Sequence, residues 1–144
     1  MSVETKTSAG YRLLTATAVL ATSTFDITYA SEGEGYGAMN SNPNVYDLDP
    51  TLGNMVINLP SLSSLFTGTS LGLAFEIRGT IIATGAAGAA RTIVFVGNLN
   101  GTDTNDTICG AATATIIAAV GATFMISPSG KNNWSLLICT AGIS

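Results

Sequence analysis

Apolar residues along this chain recur at every second position in short runs, and Gly, Asn, Asp and Pro cut those runs before a helical period is established. Successive side chains of a strand point to opposite faces, so a period of two predicts strands with one apolar face each. In the clearest run Leu71, Leu73, Phe75, Ile77 and Ile81 share one face, while Gly72, Ala74, Glu76 and Arg78 point the other way. This predicts a central core strand. Residues 54–59 repeat the pattern, with Met55, Ile57 and Leu59 inward before Pro60 ends the pairing. Residues 91–97 are apolar on both faces, Ile93 and Phe95 against Val94 and Val96, as a strand covered on two sides would be. One of those covers is a candidate subunit interface.

Further strands are predicted at residues 112–119, 123–127 and 133–140, and weaker ones at 13–20 and 25–29. Residues 31–50 are rich in Gly, Asn, Ser and Tyr, too polar for a core strand, and read as a long surface loop or arm. Residues 85–90 and 98–106 are the other candidates for mobile connections. The first ten residues show no pattern and are expected to be ordered only where something outside the domain holds them. The fold class that follows is all-β: a single β-sandwich or jelly-roll-like domain over residues 31–144, with residues 1–30 as an extended N-terminal arm that carries the first strands.

Composition narrows the chemistry. The chain has 144 residues, 47% of them hydrophobic, which suits one domain with a core of useful size. It contains no histidine, the usual proton carrier near neutral pH and the commonest metal ligand. Only 10% of residues are charged, and the five basic ones, Lys6, Arg12, Arg78, Arg91 and Lys131, are scattered, so nucleic acid is not an expected partner. The net charge of −4 aids solubility without naming a partner. A lone domain covers itself with about a quarter charged residues, so so sparse a charge predicts burial of surface against further copies or another protein.

Residues 107–130 carry no charge, and that length could span a bilayer. Thr113, Thr115, Thr123 and Ser127 alternate with small and β-branched residues, and Gly110 and Gly121 interrupt the run, so it reads as two buried strands joined at Val120, Gly121 and Ala122. The first residues, Met-Ser-Val-Glu-Thr-Lys, hold no apolar signal region, which predicts synthesis in the cytosol. In that compartment Cys109 and Cys139 are expected to remain thiols, and the sequons at Asn100, Asn105 and Asn133 to stay unmodified.

Candidate sites are few. Gly33-Glu34-Gly35-Tyr36-Gly37 has the glycines of a phosphate loop but neither the preceding strand, the following helix nor the Lys-Ser/Thr pair, so no nucleotide cofactor is expected. Asp103, Asn105 and Asp106 have the spacing of calcium ligands but lack the central Gly and twelfth-position acid of an EF-hand, so a solvated turn is expected and no metal. Glu76 and Arg78 share a face and are expected to pair, or to set register against another subunit. Trp134 enters the last strand either as core filler, the favoured reading, or as a sugar-stacking platform. Tyr29, Tyr36 and Tyr46 flank the long loop. A lyase or hydrolase reading would draw on Asp47, Asp49, Glu32 and Glu34, but acids in a polar loop are ordinarily just solvated.

A family resemblance rests on the order Tyr46-Asp47-Leu48, Val56-Ile57-Asn58-Leu59-Pro60, Phe75-Glu76-Ile77-Arg78, Ile108-Cys109-Gly110, Ala122-Thr123-Phe124-Met125-Ile126 and Gly130-Lys131-Asn132-Asn133-Trp134-Ser135-Leu136-Leu137. From residue 46 to 140 this resembles a module of tailed bacteriophages found in head-decoration proteins and tail-fibre tips, departing from it in the long segments 79–90 and 98–106. The resemblance implies a β-sandwich or jelly-roll-like subunit, commonly a homotrimer, on the outside of a virion, with no catalytic residue to carry over. The expectation is a capsid decoration or cement protein, made in the host cytoplasm, that binds the major capsid protein of the assembled head. Tyr11, Arg12, Leu13 and Leu14 of the arm, with Glu76 and Arg78, are then the expected assembly contacts. The alternative is a receptor- or glycan-binding fibre or spike tip that uses Tyr36, Tyr46 and Trp134.

Overall fold

A computed structural model describes residues 3–6, 11–17, 21–27, 44–62, 76–84, 91–98 and 105–140. They form eleven strands: β1 (Val3–Lys6), β2 (Tyr11–Thr15), β3 (Ala21–Asp26), β4 (Asn44–Asp49), β5 (Gly53–Asn58), β6 (Ile77–Ile81), β7 (Thr92–Val96), β8 (Thr107–Ile108), β9 (Thr113–Ile117), β10 (Ala122–Gly130) and β11 (Asn133–Thr140). A seven-stranded sheet runs in the order β1-β2-β4-β6-β10-β11-β8, and a four-stranded sheet in the order β3-β5-β7-β9. From β2 to β10 each successive strand lies in the other sheet. The pairs β2–β4 and β4–β6 in one sheet, and β3–β5 and β5–β7 in the other, are all parallel. The chain therefore winds: each turn lays one strand in each sheet and the next turn stacks on it, as in a solenoid.

Stacking in parallel register brings like positions together. Leu14, Leu48 and Ile81 pair in succession across β2, β4 and β6, and all are buried. Across the opposite sheet Phe25, Ile57 and Phe95 form a second buried column, and Met55 and Ile93 join a third. Phe95 of β7 meets Phe124 of β10, with ring centroids 5.5 Å apart, so the core joins the two sheets. Alternate residues face outward and bond along the stack: Asn58 donates to Asp26 at 2.7 Å, and Thr80 to Asp47 at 2.6 Å. A slip of one residue would exchange these polar ladders with the apolar columns, so the register is strongly specified.

The all-β, two-sheet expectation holds. Its jelly-roll form does not, because such a fold is antiparallel and the middle of both sheets here is parallel. Strands 54–59, 91–97, 123–127 and 133–140 fall where the pattern places them, and the run from Leu71 resolves into β6, with Leu71, Leu73 and Phe75 outside the described residues. Three expectations are corrected. Residues 44–49 are not loop: Tyr46 and Leu48 are buried while Asp47 and Asp49 face outward, a period-two strand that the polar composition around it concealed. The described residues 11–17 and 21–27 lie in the body and not in an arm: β2 lies inside the large sheet, β3 ends the small one, and Leu14, Ala16, Phe25 and Ile27 belong to the core. Within the unpatterned start, Val3–Lys6 are held by the domain itself, since β1 pairs with β2 through backbone bonds that need no apolar pattern. The uncharged stretch 107–130 also differs from two buried strands. Its β9 is an edge strand with Thr113, Thr115 and Ile117 exposed, and the junction at Val120, Gly121 and Ala122 crosses from one sheet to the other.

Gly79 marks the tightest approach in this stack. It lies opposite Tyr46, and a Cβ there would overlap the Tyr46 carbonyl oxygen and crowd its backbone nitrogen. Main-chain atoms held in a ladder cannot swing aside. Gly79→Ala is expected to lower stability by about 3 kcal/mol, read from urea unfolding midpoints. Gly110→Asn serves as the control: its φ of +85° suits Asn and no atom stands within 4 Å of the new Cβ, so about 1 kcal/mol or less is expected.

Candidate functional site

The end of the winding is where chemistry and exposure meet. Past β10 the large sheet continues with β11 and β8, whereas the small sheet stops at β9. β11 follows β10 through the turn at Lys131 and Asn132, and β8 runs parallel to it only over Asn133 and Trp134. Ile108 and Ala111 bridge a two-residue turn in which Cys109 and Gly110 have φ of 51° and 85°, the positive values that a tight hairpin turn of this type demands.

A polar knot fastens this end. Asp106 is only 1% exposed, and its carboxylate accepts the Leu62 N–H at 2.8 Å and the Asn132 side-chain amide at 3.2 Å. Its own N–H donates to the Asn98 carbonyl at 2.9 Å. The Asn133 side-chain oxygen accepts the Thr107 hydroxyl at 2.7 Å and the Gly110 N–H at 2.9 Å, and its amide donates to the Ser129 hydroxyl at 2.6 Å. The Cys109 N–H donates to the Trp134 carbonyl at 2.8 Å. A buried carboxylate stands only when its oxygens are bonded, and here those bonds join three segments distant in sequence. Asp106 is thus a structural clamp and not the solvated turn residue expected; Asp103 lies outside the described residues.

The remaining candidates separate. Leu14 is core and Leu13 half-buried on the opposite face of β2; Tyr11 and Arg12 stand in register with Val45 and Tyr46. Leu14 therefore has no surface to offer an assembly contact. Glu76 and Arg78 do share the outer face at the start of β6, with Nε to Oε1 at 3.8 Å and the arginine side chain 54% exposed. Such an exposed pair adds little to stability and is free to meet a partner. Tyr46, at 3% exposure, and Trp134, at 0%, show no ring face to a ligand, so the glycan platform is corrected: both are core, the role favoured for Trp134 from sequence. Tyr29 and Tyr36, and the glycine cluster with Glu32 and Glu34, lie outside the described residues. Asp47 takes the Thr80 hydroxyl, and Asp49 accepts both the N–H and hydroxyl of Thr51, at 3.0 and 2.5 Å. Among the described residues no group of three or more metal-ligating side chains forms, and no helix is long and apolar enough to cross a membrane.

What pattern reading missed is the exposure of the last strand. Leu137 is 61% and Ile138 37% exposed, and Cys139 is exposed with a free thiol. Cys109 is likewise exposed with a free thiol. Among the described residues nothing pairs with β11 from residue 135 to 140 on the side away from β10. Strand type was legible, but whether a strand is interior or terminal depends on sheet order, which a single run does not contain.

The clamp makes a direct expectation. Asp106→Ala leaves the buried Leu62 N–H without its acceptor and should cost about 3 kcal/mol in urea unfolding, with Trp134 fluorescence shifted red as that end loosens. Asp106→Asn, which keeps one acceptor oxygen, should cost less. Comparison of the chain with protein families, curated proteins and solved structures finds no match.

Proposed function

We propose that this chain is a virion structural protein, a decoration subunit that binds the outside of an assembled capsid and stabilises it without catalysing a reaction. The observation that carries this reading is a two-sheet body whose last strand, among the described residues, leaves apolar side chains exposed and one backbone edge unpaired, on a chain with only 10% charged residues. A surface of that kind is suited to contact with protein. The described acids support the same reading, because Asp26, Asp47, Asp49 and Asp106 all serve structural hydrogen bonds. The resemblance to the phage module adds the capsid as the partner, and self-association of the subunit as the form in which it binds.

The mechanism is linkage. A protein that binds only the assembled shell lowers the free energy of that shell, and copies joined to one another act as a multivalent grip. Since Leu14, Ala16, Phe25 and Ile27 belong to the core, binding is tested on the whole 144-residue chain. Full-length protein mixed with undecorated tailed-phage capsids should cosediment saturably and raise the capsid melting temperature. Arg78→Glu, placed on the exposed pair, should weaken that binding about tenfold while its own unfolding midpoint stays put. Absence of cosedimentation at micromolar protein would remove the capsid reading.

A further inference from the structure

We infer that two copies of this chain join edge to edge through β11, antiparallel, about a two-fold axis at Ile138. The inference deepens the proposed function by naming the first contact between copies, and it rests on the reading of the chain as a self-associating subunit. Among the described residues four strands end the two sheets: β1, β3, β9 and β8, the last covering only the start of β11. β1 contains Glu4 and Lys6 and β3 contains Asp26, the charged residues that ordinarily discourage edge pairing. The free part of β11, Ser-Leu-Leu-Ile-Cys-Thr, has no charge, and no charged residue follows Lys131 in the chain. A second copy brings the same neutral strand, so two chains with a net charge of −4 each meet at an end where no like charges face one another.

The backbone sets the register. Trp134 turns its carbonyl toward β8, where it accepts the Cys109 N–H. Because the direction of N–H and C=O alternates along a strand, Leu136, Ile138 and Thr140 point their backbone groups to the free edge, and Ser135, Leu137 and Cys139 point theirs to β10. The set 136, 138 and 140 is symmetric about 138. Antiparallel pairing centred there sets Ile138 opposite Ile138 of the second copy and Leu136 opposite its Thr140, and every free-edge donor and acceptor in the segment is bonded. Centring on Leu137 would place Thr140 against Trp134, whose carbonyl is already taken by β8. In the preferred register Leu137 lies opposite Cys139 of the second copy in a non-hydrogen-bonded pair, with Cα atoms about 4.5 Å apart, within disulfide reach.

Isologous pairing joins two chains and no more, so the full-length protein should sediment as a dimer or an even multiple of one. Ile138→Lys sets two like charges across the axis and should yield monomers with unchanged circular dichroism, whose unfolding midpoint no longer rises with protein concentration. With oxidised glutathione as oxidant, Leu137→Cys should give a disulfide-linked dimer that disappears when Cys139→Ser is added. A monomer at all concentrations, a trimer indifferent to Ile138→Lys, or a crosslink that survives Cys139→Ser would each overturn the inference. Loss of capsid binding with the dimer intact would instead count only against the proposed function.

Discussion

The constraint on which the rest depends is the parallel backbone pairing of successive turns of the winding. Once β4 stacks on β2 and β6 on β4, the alternation of each strand decides which side chains meet, and Leu14, Leu48 and Ile81 are brought together without any further device. The opposite sheet repeats the logic with Phe25, Ile57 and Phe95. Burial of these columns supplies the apolar contribution to stability, and outward bonds such as Asp26 to Asn58 keep the pleat in register. Gly79 shows how tight the arrangement is, since a single methyl group there has no room beside the Tyr46 backbone.

A stacked structure must end, and its ends differ physically from its middle. Interior strands satisfy both backbone edges, whereas a terminal strand leaves one edge for a partner. At the last turn the large sheet extends beyond the small one, so β11 has a paired edge, a free edge and apolar side chains short of cover. The knot around Asp106 and Asn133 holds the β8 hairpin against the start of β11 and leaves the rest of that strand open. Rigidity at one half of the strand and exposure at the other suit a pre-organised contact, which loses little entropy on pairing.

The composition is consistent with the proposed assembly role. Few charges leave a surface suited to packing against protein, and the described acids Asp47 and Asp106 serve structural bonds. The exposed Glu76–Arg78 pair on β6 lies on the outer face of the same sheet, two strands from β11. One sheet thus presents both a charged patch and a neutral edge, and two partners of different chemistry could be met there at once.

Local pattern determined the strand class, the inward faces of β5 and β6, and the core role of Trp134, because side-chain alternation and apolar area are properties of short segments. It could not find β4, whose pairing partners β2 and β6 are distant in sequence. Nor could it assign β2 and β3 to the body, since their partners, Val45 to Asp49 and Gly53 to Asn58, lie a full turn further along. The burial of Asp106 depends on Leu62 and Asn132 arriving from two other segments, and the exposure of β11 on the small sheet ending one strand early. Those outcomes belong to the tertiary structure, because the order of strands in a sheet is fixed by contacts between distant segments and is written in none of them alone.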